Sequence, residues 1–114
     1  MITRKQVDES IVVLSPEKVL DNNNAHEMSE AIIQAQSDGR KYVILNLSML
    51  GFISSAGVGA ILGSVGAARG MGGDIILCHV SDKIRHVFEI LDLCEYLTIV
   101  EDEEAARGMC PVGG

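Results

Sequence analysis

Two adjacent hydroxyls, Ser54 and Ser55, stand at the head of a glycine-rich segment that reads Ser54-Ser55-Ala56-Gly57-Val58-Gly59. A serine pair in that setting can supply a nucleophile, a phosphoryl acceptor, or a helix cap whose oxygen accepts a first-turn N–H. Nucleophilic catalysis is poorly supported. Ser55 would need a histidine base and an orienting acid, yet there is no G-x-S-x-G elbow and His26, His79 and His86 are scattered. Phosphate cradling by the glycines fares no better. Gly57-x-Gly59 approaches a dinucleotide fingerprint, but the third glycine comes one place late at Gly63, and no Gly-Lys-Ser/Thr occurs anywhere. Cys78, Cys94 and Cys110 lack C-x-x-C spacing and no H-E-x-x-H is present, so no metal ligands and no cofactor are assigned. The odd thiol count suits a reducing compartment rather than a disulfide framework.

The elements that must position these serines can be read from hydrophobic periodicity. Ile2–Val7 and Ile11–Leu14 flank the polar break Asp8-Glu9-Ser10 and predict an antiparallel hairpin. Asp21-Asn22-Asn23-Asn24 forms a turn before Ala25, Met28, Ile32 and Ala35, which recur at helical spacing. Asn24 is the expected N-cap, with Glu27 completing a capping-box variant and Gly39 ending the helix. Tyr42–Leu47 and Ile75–Cys78 are nearly continuous apolar runs, the pattern of parallel strands covered on both faces. Between them Val58, Ile61, Leu62 and Val65 follow the i, i+3, i+4, i+7 rule and predict a second helix from Ser54 to Arg69. Ser81 is placed to cap a third, with Ile84, Val87, Phe88 and Leu91 on its stripe. Leu97–Val100 is a last strand before the acidic helical turn Glu101–Ala106. The expectation is an α/β fold: a mixed central sheet with an N-terminal hairpin and parallel strands joined by right-handed helical crossovers. Nothing divides the chain, so 1–114 reads as one domain, with a core over about 2–106 and a loose tail over 107–114.

At 100° per residue, Ser55, Gly59, Gly63, Gly66 and Gly70 share one stripe of the second helix. Gly59, Gly63 and Gly66 together forgo roughly 2–3 kcal/mol of helix propensity relative to alanine, which something should offset. Two readings stand side by side: close packing against another helix of the same domain, or a smooth surface that admits a partner's backbone, with Ser55 at its edge.

The chain carries 9 Lys+Arg against 16 Asp+Glu, a formal charge of −7. With no basic run to neutralise phosphates, nucleic-acid binding is not expected. No apolar stretch reaches the ~18–20 residues of a membrane span, and Met1–Gln6 lacks a signal peptide's apolar segment, so a soluble, cytoplasmic protein is expected. Asp21 and Asn24 are adequately explained as turn and cap, Phe88 and Cys94 as core, and Glu101–Glu104 as a helix start.

Taken together, Phe52-Ile53-Ser54-Ser55-Ala56-Gly57-Val58-Gly59, then Ile61-Leu62-Gly63, and downstream Gly72-Gly73-Asp74, Val80-Ser81, Ile84-Arg85, Leu91, Leu93 and Ile99-Val100, resemble the STAS domain family of bacterial anti-sigma factor antagonists. The likeness runs from about Ile11 to Ala106. It implies a non-enzymatic switch that binds an anti-sigma factor with serine kinase activity, releases a sigma factor, and is reset by a serine phosphatase. The implied phosphoacceptor is Ser55, with Ser54 less favoured. The implied partner surface takes in Ser54, Ser55, Gly57, Gly59, Gly63, Gly66 and, more weakly, Asp21. The sequence departs from the family's usual loop in having Ser54 where many relatives carry Asp and Ala56 where they carry a second Ser. The alternative is a STAS adaptor in a sensory or transport assembly that phosphorylation does not control; a small enzyme or nucleotide-binding domain ranks third. Oligomeric state is not legible.

Overall fold

The computed structural model describes residues 2–7 and 10–110. Strands β1 (Ile2–Gln6) and β2 (Ile11–Pro16) pair antiparallel with Ile2 opposite Pro16, the expected hairpin; Asp8 and Glu9 of its turn lie outside the described residues. β4 (Tyr42–Asn46), β6 (Asp74–Cys78) and β7 (Thr98–Ile99) follow in parallel, and the sheet order is β1-β2-β4-β6-β7 once β3 (Lys18–Leu20) and β5 (Leu50–Ile53) are set aside as a separate parallel pair. The helices are α1 (Ala25–Ser37), α2 (Ser55–Gly70), α3 (Asp82–Ile90) and α4 (Glu103–Gly108).

The apolar runs are explained by cover on both faces of the sheet. Val12, Leu14, Val43, Leu45, Ile75 and Leu77 point to one side, where Met28, Ile32, Ile61, Val65, Ile84 and Phe88 of α1, α2 and α3 meet them. The intervening Ile11, Val13, Ile44, Ile76 and Cys78 point to the other and pack with Ala106 and Cys110. Strict alternation between two cores follows from the period-2 geometry of a strand. The Cys78 thiol is pushed up to about 11, first by burial and then by the nearby Glu103 and Asp102 carboxylates, so it stays a protonated core group.

Several expectations are corrected, and one pair of strands has no counterpart in the sequence reading. The pair β3–β5 was not visible in the sequence: both strands are very short, Lys18 has a positive φ of 65°, and only their mutual pairing defines them. Asn24 occupies the N-cap position of α1 but its side chain caps nothing and no capping box with Glu27 forms. Its Oδ1 instead accepts from Asp21 N at 2.8 Å and its Nδ2 donates to Val19 O at 2.8 Å, closing the turn across its base. Leu91 falls at the C-cap of α3 rather than on its buried stripe and is 47% exposed. Residues 107–110 are not loose: Arg107 and Gly108 complete α4, and the buried Cys110 donates its S–H to Ala106 O. Residues 111–114 of that tail lie outside the described residues. Gly39 at φ 90° follows the end of α1 and Ser81 Oγ accepts from Ile84 N at 3.2 Å, as expected, whereas α4 starts at Glu103 behind the cap Asp102 rather than at Glu101.

Two tests follow from the packing. A Cβ on Gly73 would collide with the Lys41 carbonyl, a backbone group that cannot rotate away. Gly73→Ala is therefore expected to lower the urea midpoint by the equivalent of about 1–3 kcal/mol, the usual cost of forcing an atom into a packed site. On the other face, Glu103 Oε1 accepts from Lys5 Nζ at 2.7 Å and Oε2 from Asn46 Nδ2 at 2.6 Å. The Lys5 hydrogen bond, joined by that of Asn46, holds the Glu103 carboxyl below the usual carboxylate range. A depressed folded-state value stabilises above the unfolded value of about 4.3 and is lost as pH falls through the folded one. Unfolding curves between pH 7 and pH 3 should show a shallower acid-side loss for Glu103→Gln than for wild type; identical acid limbs would remove Glu103 from the account.

Candidate functional site

The β3–β5 pair builds the site. Its parallel register sets Leu20 beside Ile53, so the next residues, Asp21 and Ser54, leave the two strands side by side. Ser54 N donates to Leu20 O at 2.9 Å, which fixes where α2 begins. Ser54 is then the N-cap in extended geometry: its Oγ accepts from Gly57 N at 3.3 Å and its carbonyl accepts from Val58 N at 2.9 Å. Asp21 is half-buried, its Oδ1 accepting from Asn23 N at 2.9 Å and its carbonyl from Asn24 N and Ala25 N.

The two serines thereby acquire different roles. Ser54 is partly buried with its oxygen engaged in the cap, whereas Ser55, the first helical residue, is exposed and its hydroxyl has no hydrogen-bond partner among the described residues. No acidic residue lies in the first turn of α2, so the positive end of the helix dipole is uncompensated within the helix. Among the described residues no histidine or carboxylate hydrogen-bonds Ser55. His79 sits at the end of β6 with its N–H on Glu101 O, and His86 lies 3.9 Å from Glu89 on α3. Nor do the described residues hold a group of three or more histidine, cysteine or acidic side chains able to bind a metal ion. Chemically the site offers an exposed primary alcohol on a helix N-terminus, able to receive a group from outside.

The glycines divide into two kinds. Gly57, read from the sequence as part of a partner surface, is instead buried: a Cβ there would lie 2.6 Å from Leu20 O and 2.9 Å from Ile53 Cγ1. It is bare so that α2 can approach β3, and this corrects its expected place on the surface. Gly59, Gly63 and Gly70 are exposed, with nothing within 4 Å of an added Cβ, and Gly66 faces Tyr96 Oη at 3.7 Å. The stripe therefore does not pack on another helix of the described structure. Sequence reasoning did not foresee the pairing of Val19 with Phe52, cross-strand partners in β3–β5 that are 36% and 49% exposed. Their short strands carry no periodic signal that could have marked them.

This contrast is measurable by thermal unfolding. Gly63→Ala should raise stability by about 0.8–1.0 kcal/mol, the ordinary helix-interior difference, because its Cβ meets nothing. Gly57→Ala should lower it, since a backbone oxygen must move. A stabilised Gly57→Ala would contradict the packing described.

Comparison with known proteins accords with this geometry. Residues 3–106 match the STAS domain family. BtrV of Bordetella bronchiseptica, an anti-sigma factor antagonist by name, is 31% identical over 106 residues, covering 92% of this chain and 90% of BtrV. The Bacillus cell-fate determinant SpoIIAA in its phosphorylated form superimposes with a TM-score of 0.74 at 26% identity, over 95% of this chain and 98% of that one. TM1081 of Thermotoga maritima, again an anti-sigma factor antagonist by name, shares the fold with a TM-score of 0.88 at 24% identity, over 96% and 93% of the two chains. A sheet with an antiparallel first strand, a serine-headed second helix and a match over most of its length make this chain a member of the STAS domain family.

Proposed function

We propose that this chain is a phosphorylation-controlled anti-sigma factor antagonist acting in the cytoplasm. In its unmodified form it binds an anti-sigma factor that is also a serine kinase and so frees a sigma factor; phosphorylation of Ser55 ends the association, and a serine phosphatase restores it. The observation that carries this reading is the division of labour between the serines: Ser54 Oγ is spent on Gly57 N, while Ser55 presents a free hydroxyl on the surface. Ser54 is accordingly the less favoured acceptor. Docking would involve Ser55, the rim of Ser54 and Asp21 beside it, and the open glycines Gly59 and Gly63, with Gly66 at the margin under Tyr96.

The electrostatics support an on/off contrast. A phosphate adds about −1.5 to −2 charges to a chain already at −7. On Ser55 it would lie among the first-turn amides of α2, whose dipole favours an anion, so the fold should tolerate it. A docked interface that buried the same dianion without a counter-charge would lose several kcal/mol, and every ~1.4 kcal/mol is tenfold in affinity.

The test is a pull-down from the source cell with wild type, Ser55→Ala, Ser55→Asp and Ser54→Ala, combined with phosphate mapping. Wild type and Ser55→Ala should capture a histidine-kinase-like ATPase that Ser55→Asp loses. Phosphate should vanish in Ser55→Ala yet persist in Ser54→Ala, which should be less stable by about 1 kcal/mol through loss of its cap. Equal capture by all four proteins would favour a STAS adaptor in which Ser55 has no switching role.

A further inference from the structure

The β3–β5 pair carries a feature that its own stability does not explain. Buried positions on β5 fall at Leu50 and Ile53, three apart, where a regular strand repeats every second residue. The register accounts for this. It shifts between Lys18 and Val19, so that Lys18 lies opposite Leu50 and Val19 opposite Phe52, with Gly51 as the extra residue. Without that bulge Phe52 would share the buried side of Leu50; with it, Phe52 is turned out and stands 49% exposed beside Val19. Lys18, at the shift, holds a φ of 65°, a strained value for a lysine. Alternation then resumes towards the site: Leu20 and Ile53 are buried, and the half-buried Asp21 and Ser54 return to the side of Val19 and Phe52. We propose that Phe52, backed by Val19, is the apolar anchor of the docking surface at Ser55, and that it enters an apolar recess of the same ATPase that modifies this serine.

The inference rests on the switch reading and supplies what that reading lacks. Ser55, Asp21 and the open glycines offer a partner a hydroxyl, a carboxylate and bare backbone. Binding energy at interfaces concentrates instead in a few aromatic or arginine side chains that become buried, with polar groups around them. Among the described residues the exposed aromatics are Phe52 and Tyr96, and Tyr96 is stacked under Arg69 towards the far end of α2. Phe52 precedes Ser54 by two residues, about 7 Å of strand, well within the ~800 Å² that a standard interface covers on each partner. A partner whose active centre reaches Ser55 therefore lies over Phe52 as well, which is why the occupant of this pair is the ATPase itself.

The ATPase recovered on wild type, once purified, is titrated by calorimetry with the full chain as wild type, Phe52→Ser, Phe52→Leu, Met71→Ser and Ser55→Asp. Phe52→Ser should weaken binding at least about tenfold while circular dichroism stays unchanged, and Phe52→Leu should recover much of the loss. Met71→Ser alters a 53% exposed residue at the far end of α2 and should bind as wild type does. In phosphorylation of Ser55 by that ATPase, Phe52→Ser should raise KM by a similar factor with kcat unchanged, the mark of lost binding rather than disturbed chemistry. A folded Phe52→Ser that binds as wild type does overturns the anchor, even where Ser55→Asp abolishes binding and the switch stands. Conversely, an ATPase that Ser55→Asp still binds and Phe52→Ser loses upholds the anchor and overturns the switch. Recovery of no ATPase by wild type overturns both.

Discussion

One oxygen, the carbonyl of Leu20, governs the arrangement of the site. It accepts the Ser54 N–H at 2.9 Å, and it is also the atom that a Cβ on Gly57 would meet at 2.6 Å. The same group thus decides where β5 stops and how closely the first turn of α2 lies against β3. The different roles of the two serines depend on that fixed starting point. An N-cap must hold extended backbone angles and turn its oxygen back towards the helix, and the residue after it must enter the helix with its side chain outward.

The neutrality of the cap gives this site its electrostatic character. Many relatives of this family carry Asp at the position of Ser54, as the resemblance in the loop implies, and a carboxylate there would partly satisfy the positive end of α2. Here a hydroxyl performs the same hydrogen-bonding task without charge, and the first turn contains no acidic residue. No acidic side chain on the first turn of α2 therefore competes for the positive end of the helix dipole beside Ser55. Asp21 is the nearby carboxylate by strand register, and its Oδ1 is already engaged with Asn23 N.

How much of this was legible depended on how local the signal was. The main sheet was readable because Val43-Ile44-Leu45 and Ile75-Ile76-Leu77 are buried on both sides, which leaves an apolar run no local conformation other than a covered strand could use so well. The helices were readable from period and caps. The β3–β5 pair was not, because three or four residues interrupted by Gly51 hold no period, and the pairing partner lies some thirty residues away. Asn24 shows a second limit. Its side chain can cap a helix or bridge a turn with the same two atoms, and only the position of Val19 O, set by β3, decides between them. The glycines were separable in principle, since Gly57 lies about 200° around the helix from Gly59 and so off the exposed stripe. Their opposite environments follow from that angle.

The way α2 is held constrains what any modification of Ser55 can do. Its N-terminus is pinned through Ser54 to Leu20. Near its C-terminus, Arg69 binds Asp74 Oδ1 at 3.0 Å, donates to Tyr96 O at 2.8 Å and stacks over the Tyr96 ring at 4.8 Å. Between these ends Val58, Ile61, Val65 and Ala68 are buried in the main core. A helix fastened at both ends and along its inner face must break these contacts to rearrange, which opposes switching by movement of the helix. The outer face, by contrast, is unfastened along Gly59, Gly63 and Gly70. A charge placed on Ser55 would therefore be expressed at the surface, by admitting or excluding what lies against α2, with the backbone beneath it unchanged.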